Sequence, residues 1–279
     1  MPLPELSPYT YGTMSLGKSE ATLEADIRLA RRAMDAGIWF HSSPTYNRGF
    51  TFLVLRMAFD QARRATPKLI VKIRDGMPWL LRFEVEDTLR RLAIERIDIA
   101  QLTHMNAGPG GVVDDFARQG ETWQTCEALR REGKVGSFVL VSNSRESSAV
   151  RRALNERILD GVIFYFNLRE RNVDDATFAE LQQRQTPVLA LRTLAGGVPQ
   201  LHAAADAELL AMMRETGLSW VELNLRYVWS HPQVRTSIGG TANPAHFEEY
   251  LRAAEVRRPL PAALVARIDK LLIDSAQPG

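Results

Sequence analysis

Along the whole chain, short β-branched or aromatic runs alternate with longer amphipathic segments, and no other feature narrows the possible folds as much. The predicted strands are Tyr9–Met14, Ile38–Ser42, Leu69–Ile73, Ile97–Thr103, Gly136–Ser142, Gly161–Phe166, Pro187–Leu191 and Val234–Gly239. Helical patterns between them cover Ser19–Ala36, Phe83–Leu92, Trp123–Glu132, Ser147–Leu154, Ala176–Gln183 and Ala205–Thr216. In the first of these, Leu23, Ile27, Ala30 and Met34 recur at helical spacing, while Glu24, Arg28 and Arg31 take the other side. Glycines that end helices stand just before strands, as in Asp35-Ala36-Gly37 and Glu132-Gly133-Lys134. Eight such units in 279 residues predict an α/β fold, a closed (β/α)8 barrel of the TIM type, as a single domain over 1–279. An open doubly wound sheet is the alternative. No Gly-x-Gly-x-x-Gly follows an early strand, which counts against its Rossmann form. In a barrel, chemistry sits at the C-terminal ends of the strands, so those ends are where functional residues are to be sought.

Charge and cysteine usage narrow the function classes. With 35 basic and 33 acidic residues the net charge is +2, spread without a basic tail, so nucleic acid and membrane surfaces are not expected partners. The single cysteine, Cys126, leaves no intrachain disulfide framework and no Cys-based zinc cluster, and fits a reducing cytoplasm. His202 and His231 lack metal-ligand spacing, so no metal site is expected. The opening MPLPELSPYTYGTM lacks a signal-peptide pattern, and no run approaches the ~20 apolar residues of a membrane span. The expectation is a soluble cytoplasmic protein. The segment Met105–Gln119, with three glycines, reads as a flexible βα loop above the barrel. Oligomeric state is not legible.

The strand ends carry a series of motifs. Gly37-Ile-Trp-Phe-His-Ser-Ser-Pro-Thr-Tyr46 is followed by Val71-Lys72-Ile73 and by Arg90-Arg91-Leu92. Next come Ile97-Asp98-Ile99-Ala100-Gln101-Leu102, then Gly133-Lys134-Val135 leading to Val141-Ser142-Asn143. Leu194-Ala195-Gly196-Gly197 and Gly240-Thr241-Ala242-Asn243-Pro244 close the series. In this order, over nearly the whole chain, they resemble the aldo-keto reductase superfamily. The resemblance implies reduction of an aldehyde or ketone, or oxidation of the corresponding alcohol, with NADP or NAD. The substrate would be a small-molecule carbonyl or alcohol.

On that resemblance Tyr46 is the proton donor and Lys72 its electrostatic tuner. Free tyrosine, with a pKa of about 10, is a sluggish acid at neutral pH, and a neighbouring ammonium favours the tyrosinate. Two positions depart from the family pattern. The carboxylate that would pair with Lys72 is replaced by His41, which as a neutral imidazole accepts a hydrogen bond from Lys72 or relays a proton. The family's catalytic histidine falls in register on Thr103, with His104 one residue later; strand alternation turns His104 away unless a bulge restores it.

The resemblance places the cofactor against Gly12, Thr13 and Met14, against Ser142 and Asn143, and along Leu191, Arg192, Thr193, Leu194, Gly196 and Gly197. The adenosine end would meet Gly240, Thr241, His246 and Glu249. Departures cluster here too: Ile163 stands for a glutamine, Leu191 for the aromatic ring that stacks on nicotinamide, and Gly240 and His246 for basic residues near the 2′-phosphate. A redox-neutral enzyme (dehydration or epimerisation) or a non-catalytic ligand- or partner-binding protein on the same fold is therefore the competing reading.

Overall fold

A computed structural model describes residues 3–61, 67–74, 77–103, 111–142, 148–156, 160–196 and 203–274. Its eight strands are β1 (Tyr9–Gly12), β2 (Trp39–Ser42), β3 (Leu69–Ile73), β4 (Ile97–Leu102), β5 (Val135–Ser142), β6 (Gly161–Tyr165), β7 (Val188–Leu191) and β8 (Val234–Gly239). All pair in parallel in chain order, and β8 returns to β1 to close the barrel. Each predicted strand is present, with ends shifted by no more than a residue or two.

Around the barrel lie α1 (Leu23–Asp35), α2 (Phe50–Gln61), α3 (Pro78–Leu92), α4 (Val112–Ala117), α5 (Glu121–Arg131) and α6 (Ser148–Glu156). The second half carries α7 (Asp175–Gln183), α8 (Ala203–Thr216), α9 (Trp220–Trp229), α10 (Pro244–Val256) and α11 (Ala262–Asp274). Helix α4 corrects the reading of Met105–Gln119 as all loop: Val112, Val113 and Phe116 are buried, and that apolar face nucleates a short helix on the barrel wall. No described helix is long and apolar enough to cross a membrane. Among the described residues no group of His, Cys, Asp and Glu could hold a metal ion, and Cys126 is buried in the apolar core.

Strand alternation sorts the side chains into two cores. Trp39, Ile70, Ile99, Val139, Val141, Ile163, Leu189, Leu191 and Ile238 fill the inside of the barrel, with Leu3 and Leu6 joining that cluster ahead of β1. The alternate positions, such as Phe40, Val71, Ala100, Phe138 and Phe164, pack outward against the helices. The inward phase continues toward the strand ends with His41 after Trp39, Lys72 after Ile70, Gln101 after Ile99 and Tyr165 after Ile163. The chain thus changes from apolar to polar within one inward step, which separates the packed interior from the cleft above it.

Closure depends on glycine at the β1–β8 seam. A Cβ on Gly240 would stand 2.2 Å from the Gly12 carbonyl oxygen, and one on Gly239 would stand 2.7 Å from Leu194 Cδ1. Tyr9 and Tyr11 lock the same seam from outside, donating from their hydroxyls to the carbonyls of Gly239 (2.6 Å) and Thr241 (2.7 Å). Because the obstacle at Gly240 is backbone, Gly240→Ala is expected to destabilise the protein by roughly 1–3 kcal/mol through overpacking. Urea unfolding of variant and parent measures this; an unchanged midpoint would contradict the packing of the seam.

Candidate functional site

A cleft of about 340 Å³ opens at the C-terminal ends of the strands. Gly12, Thr13, Met14, Ser15 and Lys18 line it from the β1 end, and His41, Tyr46 and Lys72 from β2 and β3. Tyr165, Leu191, Arg192, Leu194, Gly196, Ile238, Gly239 and Gly240 complete the wall. A larger hollow of about 620 Å³ lies at the other end of the barrel, bounded by Asn155, Arg184 and Pro187 before β7, remote from the functional strand ends.

Tyr46 reaches the cleft from a strained turn. Asn47, Arg48 and Gly49 all have positive φ (47°, 56° and 93°). Asn47 Nδ2 holds that turn by donating to the carbonyls of Met14 (3.0 Å) and Leu16 (2.6 Å). Arg91 brackets it from α3, donating to the carbonyls of Pro44 and Gly49 at 3.3 Å each and stacking on Phe52 at 4.8 Å. Tyr46 is thereby fixed with its ring 5.2 Å from Lys72 Nζ.

Burial sets the protonation states here. It pushes the Tyr46 phenol well above its ordinary value, with Tyr165 as a second cause. Lys72 is itself pushed down by burial and then by the charge of Arg192. Among the described residues no carboxylate pairs with Lys72. His41, 2% exposed, is driven to about 3, first by burial and then by the Lys72 charge, so it is neutral. Its Nε2 lies 2.7 Å from Gln101 Oε1. A carboxamide oxygen only accepts, so Nε2 carries the proton and Nδ1 is the free lone pair. Gln101, not Lys72, is therefore the hydrogen-bond partner of His41.

Gln101 and Tyr165 carry no role in the sequence reading. Both follow inward-facing isoleucines by two residues, and that period-two phase is the signal that would have found them. Tyr165 pairs in register with Leu191, and Arg192 stacks its guanidinium over the Tyr165 ring at 4.5 Å. Arg192 has φ 57°, accepts from Asn167 Nδ2 on its carbonyl (3.0 Å) and sets Nη1 3.7 Å from Glu170. Ile163 and Leu191 both belong to the apolar interior, Leu191 reaching the cleft floor as the last inward residue of β7.

Of the other residues named from sequence, Thr13 lines the cleft, whereas Thr103, Thr193, Ser142, Glu249, Thr241 and His246 lie elsewhere. Thr103 donates its hydroxyl to the Ile73 carbonyl at 3.2 Å and does not line the cleft. The Thr13 hydroxyl lies 3.1 Å from the His41 carbonyl and 2.9 Å from the Ser42 hydroxyl, bracing β2 beneath the cleft. Thr193 is fully buried and donates to the Ala190 carbonyl (3.1 Å), while Ser142 donates to the Asn172 carbonyl (3.1 Å). Glu249 accepts from the Ser219 hydroxyl at 2.6 Å. Thr241 accepts from the Asn243 amide at 3.0 Å, and His246 is exposed on the first turn of α10. His104, Asn143 and Gly197 lie outside the described residues.

The low value for His41 gives a signed pH dependence. Between about 3 and 6.5 the unfolded chain binds a proton that folded His41 does not, so stability falls as pH falls through that window. Urea unfolding from pH 7 to pH 4.5 should show His41→Gln losing less stability than the parent. The difference approaches the one-proton limit of about 1.4 kcal/mol per pH unit. Parallel profiles would mean that His41 titrates normally and is not buried as a neutral ring.

The profile of the Aldo/keto reductase family matches residues 9–273. The "Uncharacterized oxidoreductase YqkF" of Bacillus subtilis (strain 168) is 22% identical, over 91% of this chain and 89% of that protein. Among solved structures, the holo form of aldo-keto reductase AKR11C1 from Bacillus halodurans superposes with a TM-score of 0.75 at 22% identity, covering 98% of this chain and 96% of that one. An aldo-keto reductase from Klebsiella pneumoniae in complex with NADPH gives 0.74 at 21% identity, covering 97% and 91%. At such identities the superpositions speak for the fold, whereas the match of the family profile runs from the first strand through the last helix. The chain belongs to the aldo/keto reductase family.

Proposed function

We propose that the chain reduces small carbonyl compounds with a nicotinamide dinucleotide, or runs the reverse alcohol oxidation, with Tyr46 as the proton donor. Family membership supports an oxidoreductase role. The observation that carries the finer reading is the pairing of Tyr46 with Lys72, ring to ammonium 5.2 Å, in a cleft walled on its far side by glycine backbone.

The cleft fits a dinucleotide. Among the described residues a Cβ on Gly196 would meet no atom within 4 Å, which leaves its backbone open to a ligand lying against it. Gly12, Gly239 and Gly240 meet so closely that backbone, not side chain, forms the wall beside it. Gly12, Thr13, Met14, Leu191, Leu194, Gly196, Gly239 and Gly240 would hold the cofactor. When bound, the nicotinamide supplies hydride to the carbonyl carbon.

Tyr46 then gives its phenolic proton to the carbonyl oxygen as negative charge develops there. A neutral, protonated Tyr46 is the form this direction needs, and burial keeps it so. Lys72 stabilises the tyrosinate left behind; its charge is not tied up by a carboxylate. His41 contributes a neutral ring whose proton is committed to Gln101, so it positions the floor of the cleft and does not donate from Nε2. Between Gly240 and Glu249 there is no lysine or arginine, so NADPH and NADH are both admitted by this reading.

The second reading, redox-neutral or non-catalytic binding on the same barrel, draws on His41: a neutral imidazole in place of the counter-ion removes the charge balance around Lys72.

Tyr46→Phe is expected to lower kcat for aldehyde reduction about 10²–10⁴-fold, the usual size of a proton-transfer contribution, while nucleotide affinity stays within a few-fold. Nicotinamide oxidation at 340 nm measures the first and calorimetry the second. Undiminished turnover would remove Tyr46 from the chemistry.

A further inference from the structure

The charges lining the cleft do not balance. Its described lining holds Lys18, Lys72 and Arg192 and no aspartate or glutamate. Lys72 sits inside, half-buried, and the charge of Arg192 reaches it, since that charge is one cause of its lowered proton affinity. Two cations brought together in a partly desolvated space repel each other unless an anion joins them. The position facing Lys72 that would carry a carboxylate in the family is His41, held neutral.

Arg192 is built for a ligand more than for the fold. Its backbone has φ 57°, a conformation that costs free energy in a residue with a side chain. Its guanidinium carbon stands 4.5 Å from the centre of the Tyr165 ring, a cation–π contact that holds the side chain over the cleft wall. Glu170 Oε1 stands 3.7 Å from Nη1, an ion pair beyond hydrogen-bond length. The side chain remains 42% exposed, at the lip of the cleft. A guanidinium at that lip can recognise a carboxylate through two hydrogen bonds.

From this arrangement we infer that the substrate of this cleft is a small carbonyl compound carrying a carboxylate, whose negative charge is held between Arg192 and Lys72 while its carbonyl oxygen faces Tyr46. The inference rests on the reductase reading above and specifies its substrate class. The substrate's carboxylate takes the place of the side-chain carboxylate that the family resemblance puts where His41 stands, and it relieves the repulsion between the two cations. A phosphate of the nucleotide shares the same chemistry, and the test separates the two sources.

Two matched pairs serve as probes: 4-formylbenzoate against its methyl ester, and pyruvate against methyl pyruvate, each with NADPH and with NADH. The acids are expected to exceed their esters by roughly tenfold or more in kcat/KM, mainly through KM. Arg192→Met should bring that ratio toward one. His41→Asp, which supplies Lys72 with a carboxylate of its own, should also lower the acid-to-ester ratio. Equal turnover of acids and esters would overturn the inference and leave the reductase reading standing. A ratio unmoved in Arg192→Met, with nucleotide affinity weakened more than tenfold, would assign the clamp to the nucleotide phosphate and overturn it too. Were no carbonyl turned over at all, the reductase reading would fail by itself, and benzoate would judge the clamp separately. A rise in Tm with millimolar benzoate that disappears in Arg192→Met supports an anion site; no rise in the parent rejects it.

Discussion

Everything at the functional end of this protein hangs on the closing of one seam. β8 pairs with β1, and the two strand ends come so close that Gly240 has no room for a Cβ beside the Gly12 carbonyl. That contact fixes how far the strand ends stand apart. It also turns Gly12, Gly239 and Gly240 into a wall of bare backbone on one side of the cleft. On the other side β2 and β3 are held in register, His41 beside Ile70 and Lys72 beside Gln101, so that the last inward side chains of each strand meet over an apolar floor. A cavity at that level exists because the interior below it is filled and the ring of strands cannot widen.

Burial then decides the chemistry available. Water is scarce enough at the cleft floor to raise the Tyr46 phenol and to depress both the Lys72 amine and the His41 ring. A lysine paired with a carboxylate would be insulated from these effects, because the pair is neutral as a unit. Here a neutral imidazole, its proton committed to Gln101 across β3, stands near Lys72, and the charge of Lys72 meets that of Arg192. Position 41 thus carries a neutral ring where the resemblance implies a carboxylate. The same position links the departure from the family pattern to the inference about substrate charge.

The strands were readable because β-branched runs bounded by turn residues recur at regular intervals, and the barrel follows from their number and order. Helix α2 escaped the reading because Phe50–Gln61 (FTFLVLRMAFDQ) is apolar on most sides and shows little 3.6-residue contrast. Tyr46 and Lys72 were legible as motif positions, and the structure brings them together. Gln101 and Tyr165 were not, because a motif is compared position by position while their importance comes from inward phase and from neighbours on other strands. The His41–Gln101 contact spans 60 residues of sequence, and nothing local announces it. Thr103 shows the converse: its inward phase is correct, yet its hydroxyl is taken by the Ile73 carbonyl one strand away.

A glycine-walled cleft that takes a nucleotide is what every proposed role of Tyr46 and Lys72 requires. Calorimetric titration of the purified chain with NADPH and with NADH addresses this without any assumption about substrate. Saturable one-to-one binding of at least one of them in the micromolar range is expected. Absence of heat and of tryptophan fluorescence change with both at millimolar concentration would contradict it, and would turn attention to the barrel as a cofactor-free site.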